Sequence, residues 1–416
     1  MNPYWRTIVR SIGLGLFAGV FSLIYLALVR TGTNALRGDW ETPDLFSGTW
    51  HMMVIPVGAG LLVGIIYKVF RLPPRFEGFI TELQEGHVDP RTAPGAVGIA
   101  VVSLIGGASL GPEAPLGTAG GAAGTWLARR RGEDAEGVRQ SSFVGISAMF
   151  GGLLSTPIGG PLLAFELEHE QTNAYYFRHL VPGMISGAVA FGVMWPVIGA
   201  PFEGLIEIEQ GAFESWMLVA AAGIGVIAFL AALVVEKIMV GAVTAMRRLD
   251  ERPVVRGLVG GAVVGVTAFA LPLTLFSGDH SLSAILGDLE SFGLAMLIAL
   301  ALVKAIALGA SLGGGFYGGP IFPLFFIGGV LGIAVNVVFP AIPLGLAVGA
   351  TMAALGAAVS LLPLSMAILV AILTNSGLVA SSAIVVAAAT AFALRQMVRR
   401  PGEGSATEAA VAAETV

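Results

Sequence analysis

The sequence predicts an all-α, polytopic membrane protein made of broken and tilted helices, on three observations. The chain is 56% hydrophobic and only 12% charged over 416 residues, against about 25% charged in soluble domains. Several apolar segments, Phe143 to Leu154 and Leu162 to Glu166 among them, fall short of the ~20 residues a helix needs to cross a bilayer. One five-letter pattern, Gly-Pro-x-x-Pro, occurs twice between apolar stretches, at Gly111-Pro112-Glu113-Ala114-Pro115 and Gly319-Pro320-Ile321-Phe322-Pro323. Proline suits the first helical position, where its missing N–H has no intrahelical acceptor to lose. Each pattern therefore marks a helix that begins inside the membrane. Such a start directs amide hydrogens and a partial positive charge at whatever lies ahead. Hydrocarbon tolerates that only against protein or a water-filled cavity. One start in each half of the chain predicts a shared anion site near the midplane.

Composition narrows the function classes. The 58 glycines fit closely packed membrane helices, because small residues let backbones approach. The absence of cysteine excludes a disulfide framework, thiolate metal sites and cysteine nucleophiles. Histidines 51, 87, 169, 179 and 280 form no metal-ligand spacing, so neither a metal nor a cofactor is expected. No His/Asp/Ser grouping stands at helical spacing, and the chain is not read as an enzyme. A net charge of −5 speaks against nucleic acid as a partner. Met1 to Arg10 is too polar for a removable signal peptide, and the apolar run beyond it is long enough to span.

In chain order, spans are expected at Ile12 to Val29 and Met52 to Phe70, with a break at Arg71 to Gly78 and a short helical piece from Phe79 to Leu83. Ala96 to Leu110 leads into the first Gly-Pro-x-x-Pro, whose helix ends at Arg129-Arg130-Arg131. A polar loop follows from Gly132 to Gln140, then Phe143 to Leu154, Pro157, and Leu162 to Glu166. Val181 to Val197 and Trp216 to Val240 read as longer spans, with Glu236 and Lys237 at a helix end pairing with each other or with lipid headgroups. The charged run Arg247 to Arg252 connects the halves. Val254 to Phe276, a polar loop at Asp279-His280, and Leu294 to Leu312 with Lys304 embedded precede the second pattern. Leu344 to Leu361, Pro363 and Ile384 to Leu394 follow it. Lys304 reads as a snorkelling or structural cation. Arg71 reads equally as a cation at a pore mouth or as a surface residue. The domains expected are a first membrane half at 1–250 (core about 70–240), a second half at 251–398 and a disordered tail at 399–416, with no cytoplasmic regulatory domain. Basic clusters at 6/10, 129–131, 247/248 and 395/399/400 place both termini in the cytoplasm by the positive-inside rule.

The halves match beyond the five letters. Pro115 to Pro157 spans 42 positions and Pro323 to Pro363 spans 40, each second proline opening a short apolar helix. Weak repeats with interrupted helices at corresponding places are the sequence pointer to a transporter-type site at the repeat interface.

The ordered set of motifs resembles the CLC family of chloride channels and chloride/proton antiporters. Leu110-Gly111-Pro112-Glu113-Ala114-Pro115 resembles the family's G-[RK]-E-G-P motif, with Glu113 at the gating glutamate. Pro157-Ile158-Gly159-Gly160-Pro161-Leu162 followed by Glu166 resembles its P-L-[AG]-G stretch. Lys304, Ser311-Leu312-Gly313 and Gly318 to Pro323 follow its K…[TS]-L-G…G-G-x-F-x-P segment. Pro363-Leu364-Ser365 resembles A-P-L-T, and Pro74 to Gly78 the I-P-E-x-x-G-like start, so the likeness covers about Phe70 to Leu394. It implies an inverted-repeat fold, inorganic anion transport with chloride foremost, and a homodimer in a lipid membrane, the plasma membrane of a bacterium or archaeon. Channel and anion/proton antiporter stay open, as does transport of another inorganic anion without protons. Glu113 and Glu166 are the candidate gating and proton residues. Gly111, Glu113, Ala114, Tyr317, Gly319, Ile321 and Phe322 are the candidate anion-binding residues. Four departures stand out: no serine near Arg71, no tyrosine after Tyr317, prolines at 112 and 320, and Leu167 where the antiporters carry their internal proton-transfer glutamate. Glu168 and Glu170 read as a solvated helix end.

Overall fold

The computed structural model describes residues 3–37, 49–74, 87–167, 176–199, 204, 206 and 213–398. The Phe79–Leu83 piece, Glu168, Glu170 and the tail lie outside them. The described residues form α1 (Pro3–Arg37), α2 (Trp50–Phe70), α3 (Ala93–Ile105), α4 (Glu113–Arg130), α5 (Ala135–Leu153), α6 (Gly159–Leu167), α7 (Val181–Ile198) and α8 (Trp216–Met246). After them come α9 (Pro253–Ala270), α10 (Asp279–Gly287), α11 (Leu294–Gly313), α12 (Ile321–Val338), α13 (Leu344–Ser360), α14 (Pro363–Leu373) and α15 (Leu378–Val398). Eight helices among the described residues are long and apolar enough to cross a membrane, while Ala93–Ile105, Leu344–Ser360 and Pro363–Leu373 are apolar but short. The mixture of full and partial spans is the broken-helix architecture that the sequence predicts.

Two segments differ from expectation. The polar stretch at Gly132 to Gln140 is largely helix, because Asp134 caps α5 by accepting the Gly137 N–H at 2.9 Å. A side-chain acceptor at this position satisfies a donor the helix leaves unbonded. Asp279-His280 likewise opens a helix rather than a loop. Gly278, at φ +96°, turns the chain into α10, a conformation that glycine adopts without strain.

The chain forms two compact units, each discontinuous: Met1–Thr31, Phe76–Val101 and Pro112–Glu203 in one, Gly32–Arg75, Val102–Gly111 and Gly204–Val416 in the other. The first unit is held by close backbone contact. A Cβ on Gly120 would stand 2.3 Å from the Gly145 carbonyl oxygen, and one on Gly145 would stand 2.0 Å from that of Gly120. α4 and α5 therefore touch main chain to main chain. α1 packs on α7 the same way, with Gly15 against the Ser186 carbonyl. Arg10 is buried and pairs with Glu133 at 2.5 Å.

In the second unit, α2 and α9 meet along Gly60, Gly64, Gly257, Gly261 and Gly265. A Cβ on any of these would stand within 2.5 Å of a partner backbone oxygen. α12 approaches α13 through Gly328 and Gly332. Leu16, Val20, Ile24 and Leu28 on α1, and Val219, Leu230 and Val234 on α8, are exposed. Glu236 pairs with Arg395 on α15 at 2.8 Å rather than with Lys237. Lys237 is next in sequence, and neighbours in sequence do not share a helix face.

Candidate functional site

The two Gly-Pro-x-x-Pro segments have one backbone design. Gly111 and Gly319, both in the second unit, form an isolated antiparallel bridge. The Gly111 N–H donates to the Gly319 carbonyl at 2.7 Å, and the Gly319 N–H donates to the Gly111 carbonyl at 2.8 Å. The amides of these two glycines, both among the candidate anion-binding residues, are thus engaged with each other. Pro112 (φ −79°, ψ −5°) and Pro320 (φ −89°, ψ −8°) each turn the chain directly into a helix. The first intrahelical bonds run from Leu116 N–H to Pro112 and from Leu324 N–H to Pro320. Pro115 and Pro323 have no N–H, so the amides ahead of those bonds belong to Glu113 and Ala114 in one helix and to Ile321 and Phe322 in the other.

Glu113 sits in the first turn of α4 and is only 1% exposed, with Ala114 beside it at 3%. On α1, Tyr25 is 3% exposed. The Glu113 carboxyl lies within electrostatic reach of its phenol, whose oxygen has no hydrogen-bond partner among the described residues. The packing between these helices explains the proximity. Ser22, one turn before Tyr25, donates to Met149 Sδ at 3.4 Å, and Met149 Cγ also lies against Gly120, two turns beyond Glu113 on α4. Glu166 is half-buried near the end of α6.

In the second unit, Gly313 to Val330 is buried without interruption. Ser103 Oγ accepts the Tyr317 N–H at 3.1 Å, and Ser311 Oγ accepts the Ser109 N–H at 3.0 Å. These two bonds pin the loops that carry Gly111 and Gly319. Gly318 is required by proximity: a Cβ there would stand 2.7 Å from Leu110 Cβ. Ile321 and Phe322 open α12 at 3% and 2% exposure, and Tyr317 is buried at 7%.

Lys304 does not snorkel. It is fully buried, and Nζ donates to the carbonyls of Thr274, Leu275 and Phe276 at 3.1, 3.2 and 2.6 Å. Its ammonium lies 5.1 Å from the Phe326 ring centroid. All three of its donors are used to tie the chain after α9, so it is a structural cation. Arg71 is exposed and caps α2 in the left-handed region at φ +50°. No cluster of three or more His, Cys, Asp or Glu suited to a metal occurs among the described residues. An apolar crevice lined by Phe213, Met217, Leu346 and Ile384 carries no group that could do chemistry.

Sequence reasoning missed Tyr25, Ser103 and the buried Arg256. None lies in a motif, and each gains meaning from a partner distant along the chain.

The family model described as voltage gated chloride channel matches residues 59–395, a span that takes in both helix starts, Glu166 and Lys304. The chain belongs to the voltage-gated chloride channel, or CLC, family. It is an integral, multi-pass membrane protein with the all-α, CLC-like inverted-repeat fold expected. Among CLC relatives, a candidate ion-transport protein of Escherichia coli (strain SMS-3-5), YfeO, is 26% identical over 307 residues, covering 72% of this chain and 71% of its own. The YfeO of Escherichia coli O139:H28 is 25% identical over 363 residues, covering 84% of each. Among solved structures, a slow cyanobacterial Cl−/H+ antiporter superimposes with a TM-score of 0.81 at 18% identity, over 100% of this chain and 99% of that one. A CLC-type fluoride/proton antiporter gives 0.75 at 16% identity, over 94% and 95%.

Proposed function

We propose that this chain moves inorganic anions across the membrane, chloride foremost, under the control of Glu113. The supporting observation is the position of that side chain: a carboxyl almost wholly buried in the first turn of a helix that starts within the protein. An ionisable side chain at membrane depth costs ~2.5–3.5 kcal/mol on insertion scales and is a functional candidate by default. Helix N-termini favour anions, and a carboxylate at such a start competes with an inorganic anion for the same field. Ionised, Glu113 holds the place of the anion; protonated, it gives that place up. Flux therefore rises as pH falls through the Glu113 titration. Ala114, Tyr317, Ile321 and Phe322 are the further candidates for anion contact, and Glu166 is the candidate for proton passage.

The test is anion efflux from proteoliposomes over a pH series. Glu113→Gln, which imitates the protonated side chain, is expected to give flux independent of pH. A variant with the wild-type pH profile removes Glu113 from the mechanism. Counting protons per anion separates antiporter from channel.

A second proposal, an anion other than chloride carried without protons, is favoured by Leu167 at the internal proton-transfer position and by the prolines at 112 and 320. It predicts a preference for fluoride or nitrate over chloride and no proton movement. A chloride-first selectivity series overturns it.

A further inference from the structure

Arg256 stands in the first turn of α9 and is among the largest fully buried side chains of the described residues, at 0% exposure. Its Nη1 donates to Asp250 Oδ1 at 2.9 Å. Its Cζ lies 4.9 Å from the Tyr67 ring centroid, so the guanidinium is held against an aromatic ring. Gly315, at φ +84°, brings backbone against the same group: a Cβ there would stand 2.5 Å from Nη2 and 3.0 Å from Nε. Yet Nε and Nη2, the two donors along one edge, are buried with no hydrogen-bond partner among the described residues. Buried polar groups are nearly always bonded, and an exception calls for an unseen ion, a water or a function.

Lys304, with every donor used, shows that this chain can satisfy a buried cation completely. A purely structural role for Arg256 would be to offset the negative end of α11. That end is already bonded, because Gly314, Gly315 and Phe316 donate to the carbonyls of Ala310, Leu312 and Ser311. The role also needs only a charge, not an edge with two open donors. Asp250 does not cancel that charge evenly. Its side chain is 26% exposed while that of Arg256 is buried, so water weakens the acid's field more than the arginine's.

We propose that the Nε–Nη2 edge of Arg256 is a binding station for a small monovalent anion, of the halide or nitrate class. The side-on guanidinium edge presents two parallel N–H donors, a fork that an ammonium cannot reproduce. Gly315 joins this station to the bridge, since the loop that lies on the guanidinium runs on to Gly319. The inference rests on the anion-transport proposal but concerns a different group from Glu113.

Crystals of the full chain grown in bromide test it directly. An anomalous peak at hydrogen-bonding distance from Nε and Nη2 is expected; water alone on that edge overturns the proposal. Arg256→Lys retains charge and bulk while removing the fork. In proteoliposomes its half-saturating chloride concentration is expected to rise about tenfold, with acid activation through Glu113 retained. Absent wild-type flux, or flux indifferent to Glu113→Gln, would overturn the transport proposal. Normal flux with no bromide at Arg256 and an unchanged half-saturation in Arg256→Lys overturns the station alone.

Discussion

The helices that begin at Glu113 and at Ile321 share a backbone design, and only one of them opens on an acid. Each follows a glycine of the same bridge, turns at a proline with nearly the same dihedral angles, and makes its first internal bond four residues back to that proline. One carries a carboxylic acid in its first turn; the other carries isoleucine. The backbone is thus a general-purpose frame for helix starts, and a titratable side chain opens only one of the two helices. The comparison separates what geometry supplies from what chemistry supplies.

Giving the second helix an acid is the harshest way to break that asymmetry. Ile321→Glu adds a second buried carboxyl at a helix start, and insertion costs of ~2.5–3.5 kcal/mol set the scale. Flux at neutral pH is expected to drop on the order of a hundredfold and to return on acidification with a steeper pH dependence than the wild type. An unchanged profile would mean that the start of α12 lies off the anion route. Paired with Glu113→Gln, the same substitution should transfer the pH dependence from one helix to the other.

Disturbing the frame has a smaller effect. Gly318→Ala places a methyl 2.7 Å from Leu110 Cβ and 3.0 Å from the Gly111 carbonyl oxygen. Overpacking of this kind costs roughly 1–3 kcal/mol. The variant should melt several degrees lower in detergent with its pH profile preserved, whereas unaltered melting would show that the bridge region gives way easily.

The smallest effect is expected from Tyr25→Phe. The phenol lies within electrostatic reach of the Glu113 carboxyl and has no hydrogen-bond partner among the described residues, so it acts on the acid through its dipole alone. Without the hydroxyl, the acid-activation midpoint should shift by less than about one unit, since no hydrogen bond to the carboxyl is lost. A midpoint that stays put would show that the phenol does not act on the carboxyl.

How much of this was readable beforehand depends on how local each signal is. Proline chemistry at the first turn is local, so both helix starts, the helix opened at Pro363, and the apolar spans around them could be placed from the sequence. α10 was hidden because its start depends on the left-handed turn at Gly278, and the start of α5 because polar residues near a cap read as loop. The bridge partner of Gly111, the carbonyls around Lys304 and the exchange of Lys237 for Arg395 as the partner of Glu236 are set by packing between distant segments. Arg256 is the extreme case. In the sequence it is one more arginine near a charged connection, and only burial reveals that two of its donors remain unmatched.

The seam between α2 and α9 restricts how the molecule can move. With Gly60 against Gly257, and with Gly64, Gly261 and Gly265 each seated on a partner carbonyl, neither helix can slip by a residue without driving a side chain into main chain. These two helices must travel as one rigid plank in any transport cycle. Any movement that accompanies transport has to come from smaller parts, such as a rotating side chain or a tilting short helix. Cross-linking the plank should leave turnover intact.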